Sequence, residues 1–114
     1  MIWKVIWFDE AKEDFDKLDR SQEILVRKYI QKVRQNPLPQ NEGGYGKPLG
    51  NKGKLNLTGC YKIKLKNAGI RIVYRLQRTE YGMEIIIIGM RESAEVYDLA
   101  VKRIEKHDIK VIER

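Results

Sequence analysis

Four consecutive isoleucines, Ile85-Ile86-Ile87-Ile88, leave this chain few ways to fold. A strand with one wet face alternates apolar and polar side chains, because successive Cβ atoms point to opposite sides. The unbroken apolar run within 83–90 instead reads as a strand covered on both faces. The two stretches before it do alternate. In 60–65, Tyr61, Ile63 and Leu65 oppose Lys62 and Lys64. In 70–76, Ile70, Ile72, Tyr74 and Leu76 oppose Arg71 and Arg75. Asn67-Ala68-Gly69 between them is a turn. Residues 2–8, rich in aromatic and β-branched side chains, read as a further strand.

Helical spacing takes over elsewhere. Ala11, Phe15 and Leu18 follow Asp9, a candidate N-cap, and Val26, Tyr29, Ile30 and Val33 follow a second cap at Asp19 or Ser21. Pro37 and Pro39 stop that helix. Val96, Tyr97, Ala100, Val101 and Ile104 recur periodically after a possible cap at Ser93. The order β-α-α-β-β-β-α predicts an α+β fold. Its sheet is mostly antiparallel and four-stranded, with an N-terminal helical hairpin on one face and a C-terminal helix. The glycine-rich stretch 40–59 reads as an irregular loop, and 105–114 as a charged tail without assigned structure. At 114 residues, 1–114 is expected to be a single domain.

Charge is distributed in one block. Between Gly43 and Thr79 there is no acid but there are nine bases: Lys47, Lys52, Lys54, Lys62, Lys64, Lys66, Arg71, Arg75 and Arg78. The chain carries 23 basic and 16 acidic residues, so the remainder has 14 against 16, a net of −2. A one-sign field on part of a small domain points to a polyanion, most often nucleic acid. With the helical hairpin on one face of the sheet, the other is expected to carry Lys62, Lys64, Arg71 and Arg75. No stretch approaches the ~18 apolar residues of a membrane span. One cysteine, Cys60, excludes an internal disulfide and fits a reducing cytosol, so a cytoplasmic protein without membrane contact is expected.

Several chemistries lack their residues. His107 is the only histidine, so two-histidine acid–base catalysis is out, and in a charged tail it is expected to be solvated. No phosphate-loop spacing occurs. The basic block has no carboxylates to hold a metal, so neither metal nor cofactor is expected. Cys60 is expected to pack rather than react. Lysine, arginine and tyrosine remain. They suffice to cleave RNA, whose own 2′-hydroxyl is the nucleophile. The protein must take a proton, stabilise charge on phosphorus and protonate the leaving oxygen.

Cys60-Tyr61-Lys62-Ile63-Lys64-Leu65 and Gly69-Ile70-Arg71-Ile72-Val73-Tyr74 closely resemble the core of the RelE toxins. So does Gly89-Met90-Arg91-Glu92-Ser93-Ala94-Glu95-Val96-Tyr97, running on into Ala100-Val101-Lys102-Arg103-Ile104. RelE toxins are messenger-RNA endonucleases of type II toxin–antitoxin systems. The resemblance covers about 2–104 and is most specific over 60–76 and 88–104. It implies that Lys62 and Lys64 are catalytic lysines and that Arg71 stabilises the phosphate. It places Arg91 near the leaving oxygen and gives Tyr97 the task of stacking on or orienting the base. It further implies ribosome-dependent cutting of mRNA in the A site, a cyclic phosphate product and a RelB-like cognate antitoxin. Lys47, Lys52, Lys54, Lys66 and Arg75 are the expected additional RNA contacts. Two positions that are often basic in the family are Met90 and Ser93 here. Two alternatives stay open: a ParE-like gyrase inhibitor on the same fold, and a non-catalytic nucleic-acid-binding module. The first generally lacks the lysine, arginine and tyrosine set.

Overall fold

The computed structural model describes residues 2–52, 55–90 and 94–113, apart from the side chains of 51, 52, 94 and 110–113. The chain begins with strand β1 (Lys4–Trp7), followed by helices α1 (Asp9–Asp16) and α2 (Arg20–Val33). Strands β2 (Lys47–Lys52), β3 (Leu55–Leu65), β4 (Ile70–Gln77) and β5 (Gly82–Met90) follow, and helix α3 (Ala94–Glu113) ends it. The strands form one sheet in the order β1-β5-β4-β3-β2. β1 runs parallel to β5, and the other three pairings are antiparallel. Among the described residues no helix is long and apolar enough to cross a membrane.

The α+β class holds, but the sheet has five strands and is mixed, where four were expected. The extra strand lies in the stretch read as irregular. Lys47 pairs with Lys62 and Lys52 with Leu55, with an irregularity between Pro48 and Gly50. The glycines that argued against a strand, and Pro48 with them, are tolerated because β2 is an edge. The expected tail is also ordered differently, since α3 runs on to Glu113.

The helix caps divide. Asp19 caps α2: its side chain accepts from the Gln22 N–H at 2.8 Å, while the Gln22 side chain accepts from the Asp19 N–H at 3.0 Å. Asp9 is not a cap; Phe8 takes that position and Asp9 lies in the first turn of α1, where its charge suits the helix dipole. Position 93, the suggested cap of α3, lies outside the described residues.

The isoleucine run is covered on both sides, as its composition demands. Ile85 and Ile86 are fully buried, and Ile87 and Ile88 nearly so. On one side, Val26, Ile30 and Val33 of α2 join the core with Ile63, Ile72 and Tyr74. There the buried Tyr74 hydroxyl donates to the Pro37 carbonyl at 2.8 Å, tying β4 to the exit from α2. On the other side lies α3. A Cβ at Gly89 would sit 2.7 Å from a methyl of Val96, so this helix packs against bare backbone.

β5 outruns its neighbour. β1 pairs with it only from Gly82 to Ile85. Beyond that point side chains replace the missing strand. The Ile88 N–H donates to Asp14 of α1 at 3.0 Å, and Arg103 of α3 donates to the Ile86 carbonyl at 3.0 Å. Arg103 and Asp14 also pair with each other at 2.6 Å.

Replacing Tyr74 by Phe removes a buried donor and strands the Pro37 carbonyl. We expect a loss of about 1–3 kcal/mol. Urea unfolding should show a lower midpoint with an unchanged slope.

Candidate active site on the second sheet face

Strand register decides which cations meet. Lys64 lies directly opposite Arg71, and Arg71 opposite Gly89. One row on, Lys62 lies between Lys47 and Val73. The two-residue period therefore puts Lys47, Lys62, Lys64 and Arg71 on the same face. Lys62, Lys64 and Arg71 are half-buried, while Lys47 is exposed. An Arg71 Nη donates to the Ile70 carbonyl at 3.2 Å, which holds the guanidinium along its own strand. Like charges set opposite one another in a sheet repel. A polyanion laid across these rows offsets that repulsion.

α3 reaches the same neighbourhood. Val96 covers Gly89, the cross-strand partner of Arg71, and Tyr97 is the next residue. Tyr97 is only 6% exposed and belongs to the core. Of the five expected catalytic residues, the structure thus gathers Lys62, Lys64 and Arg71 on one face, while Tyr97 lies in the core. Arg91 lies outside the described residues, as does Lys54, and the Lys52 side chain is not described. Lys66 is exposed in the turn after β3.

The face is not uniformly open, and Arg75 departs from expectation. Its Nε donates to Glu84 at 2.6 Å and its two terminal nitrogens to Asp108 of α3 at 3.2 and 2.8 Å. Burial disfavours the Arg75 charge, but these two carboxylates outweigh it and raise the pKa. The Arg75 side chain is 17% exposed and that of Glu84 5%. Arg75 therefore joins helix to sheet instead of facing solvent. At the end of the block, Arg78 donates both its terminal nitrogens to Glu42 at 2.9 and 2.8 Å. Acids from outside the basic block thus occupy two of its arginines. His107 is not simply solvated either: its ring stacks on Phe8 with centroids 4.4 Å apart, and its Nε2 lies 3.7 Å from Glu84. Cys60 behaves as expected, since burial pushes its thiol up to about 11 and keeps it an unreactive packing residue.

Sequence reading missed Asp14, Glu84, Arg103 and Asp108. Most of these partners lie far away along the chain, by 89 positions for Arg103 and Asp14 and by 33 for Arg75 and Asp108, while Glu84 meets Arg75 nine positions away across the β4–β5 pairing. No local spacing signals such pairs. Among the described residues, no three His, Cys, Asp or Glu side chains converge as a metal site would require.

Comparison with known proteins gives consistent relatives. The mRNA interferase toxin RelE of Escherichia coli K12 is 34% identical over 98 residues, spanning 85% of this chain and 93% of that protein. A double mutant of the E. coli RelE toxin in its free state superposes with a TM-score of 0.71 at 28% identity, covering 91% of this chain and 99% of that one. The same mutant in complex with a peptide of the antitoxin RelB matches with a TM-score of 0.64 at 27% identity, over 90% and 98% of the two chains. No family model matches the sequence.

If Arg75 is a joint, Arg75→Ala leaves Glu84 buried without its main partner. The expected cost is about 3 kcal/mol, the low end for a broken buried pair because Gln77 still donates to Glu84 at 3.1 Å. Asp108 adds a pH signature. Its hydrogen bonds from Arg75, working against burial, hold its pKa below the ordinary 3.8. A depressed folded pKa means the stabilisation is complete above about pH 3.8 and fades as the pH falls through the folded value. Asp108→Asn should flatten that acid limb in thermal unfolding.

Proposed function

Because this chain belongs to the RelE toxin family, we propose that it is the toxin of a type II toxin–antitoxin system and stops translation by cutting messenger RNA in the ribosomal A site. The observation that carries this reading is the row pairing Lys64 with Arg71, with Lys62 beside it on the same face. Strands hold these groups more rigidly than loops would, which suits a reaction that depends on positioning.

The proposed reaction needs no metal. The 2′-hydroxyl of the substrate attacks the adjacent phosphorus, and the bond to the 5′-oxygen breaks. Lys62 or Lys64 accepts the 2′-proton. Arg71, whose forked donors match phosphate oxygens, stabilises the added negative charge. Arg91 steadies the leaving 5′-oxygen, which takes up a proton from solvent and departs as a 5′-hydroxyl, leaving a 2′,3′-cyclic phosphate. Tyr97 stacks on or orients the base. Since Tyr97 is 6% exposed, that role requires its ring to become accessible when RNA enters. Lys47 and Lys66 hold flanking phosphates; Lys52 and Lys54 are assigned the same part. The protein acts in the cytoplasm, where translating ribosomes are. A RelB-like antitoxin silences it, a reading supported by the relative solved with an antitoxin peptide.

Pulse labelling after induction in a bacterial host should show protein synthesis falling before DNA synthesis. The reverse order, with gyrase-linked breaks, would favour the ParE-like alternative. On programmed ribosomes, Arg71→Ala should slow single-turnover cleavage by about 10²–10³ with little change in binding, as loss of a charge-stabilising donor does. Wild-type rates in that variant would remove Arg71 from the mechanism.

A further inference from the structure

A groove leads away from the cationic rows, and the cleavage chemistry does not use it. Lys62 is the last residue of β3 opposite β2, yet β3 continues to Leu65. Between this extension and α2 lie adjoining cavities of about 320 and 140 Å³. Tyr29 of α2, Lys47 and Lys64 line both. Lys66 completes the larger, and Lys32, Tyr45 and Lys62 help wall the smaller. The groove is thus continuous with the proposed catalytic lysines. Among the described residues, neither cavity is lined by an aspartate or glutamate.

Tyr45 stands at the rim, 47% exposed, on a backbone tied to the segment after α2. Its N–H donates to the Asn36 carbonyl at 3.0 Å, and the N–H groups of Gly44 and Gly46 donate to Pro39 and Leu38 at 3.2 and 3.0 Å. A Cβ at Gly44 would lie 2.0 Å from the Leu38 oxygen, so only glycine permits this close return. The Lys32 ammonium sits 5.4 Å from the centre of the Tyr45 ring. An exposed aromatic ring beside lysines is the combination by which proteins bind single-stranded nucleic acid. Unpaired bases stack on the rings, and the cations follow the backbone. Charge alone would serve a duplex equally well; the rings select an unpaired strand.

We propose that this groove binds the messenger strand flanking the scissile phosphate. Tyr45 and Tyr29 supply stacking surfaces, and Lys47 and Lys66 take the adjoining phosphates. The proposal rests on the cleavage reading above. Under it, groove contacts set how tightly the message is engaged and at which sequences, while Lys62, Lys64 and Arg71 set the rate of the chemical step.

The test uses ribosomes programmed with a message carrying a 2′-deoxynucleotide at the cut site, so that no attack occurs, and 4-thiouridine at the flanking positions. Near-ultraviolet light should cross-link the message to peptides containing Tyr45 or Lys66. On cleavable message, Tyr45→Ala should raise KM about five- to a hundredfold, the range expected for one lost base stack, with kcat unchanged. Tyr45→Phe should restore the wild-type KM, which a merely structural hydroxyl would not allow. A KM within twofold of wild type for Tyr45→Ala overturns the proposal. So do cross-links to ribosomal RNA in place of the message, or weakened antitoxin binding by Tyr45→Ala with unchanged message cross-links. If the wild-type protein does not cut at all, the cleavage reading fails, and the cross-link to uncut message still decides the groove.

Discussion

The rest of the structure depends on how the exposed edge of β5 is closed. Past Ile85, where β1 ends, the central apolar strand presents backbone groups with no neighbouring strand. An unpaired buried donor or acceptor costs about 1–3 kcal/mol. Asp14 and Arg103 meet that demand together, the first accepting from Ile88 and the second donating to Ile86. Their side chains are only 16% and 15% exposed, so each charge would be costly without the other. One ion pair therefore binds α1, β5 and α3 into a single unit. It also fixes where α3 lies on the sheet.

The position of α3 in turn decides which cations remain at the surface. The helix enters over Gly89 and reaches Arg75 through Asp108, eleven positions after Tyr97 in sequence numbering. It covers one part of the second face and leaves the rows of Lys62, Lys64 and Arg71 at its margin. Arg75 alternates with Arg71 along β4 and looks equivalent to it in sequence. Yet one arginine is paired with two carboxylates, while the other sits opposite a lysine. The functional difference between them arises from what lies across the sheet and above it.

The β2 edge shapes the opposite margin. Because β2 stops pairing at Lys62, β3 projects beyond it, and the loop carrying Tyr45 folds back on the end of α2. The site is therefore bordered by a helix on one side and by an aromatic, basic groove on the other. Glu42 pairs with Arg78 nearby, and that contact holds its carboxyl below the ordinary range. Glu42, Glu84 and Asp108 are thus engaged with structural arginines.

Local rules alone account for much of this architecture. Alternation assigned the faces of β3 and β4, the isoleucine run demanded cover on both sides, and the Asp19 and Ser21 pair announced the start of α2, where Asp19 proves to be the cap. The Lys62, Lys64 and Arg71 set was legible for the same reason: residues two apart on a strand share a face, and the short turn at 67–69 brings the two strands into register. Other features depend on encounters between distant segments. Pro48 and Gly50 disguise β2 because edge placement, which excuses them, is a property of the whole sheet. The helical course of 105–113 is visible only once Asp108 and His107 have Arg75, Glu84 and Phe8 to meet. Arg75 passes from an expected surface group to an interior one because α3 settles over it, and Tyr97, on α3 itself, joins the core. Burial is decided by what packs above a residue, and periodicity records only which way that residue points.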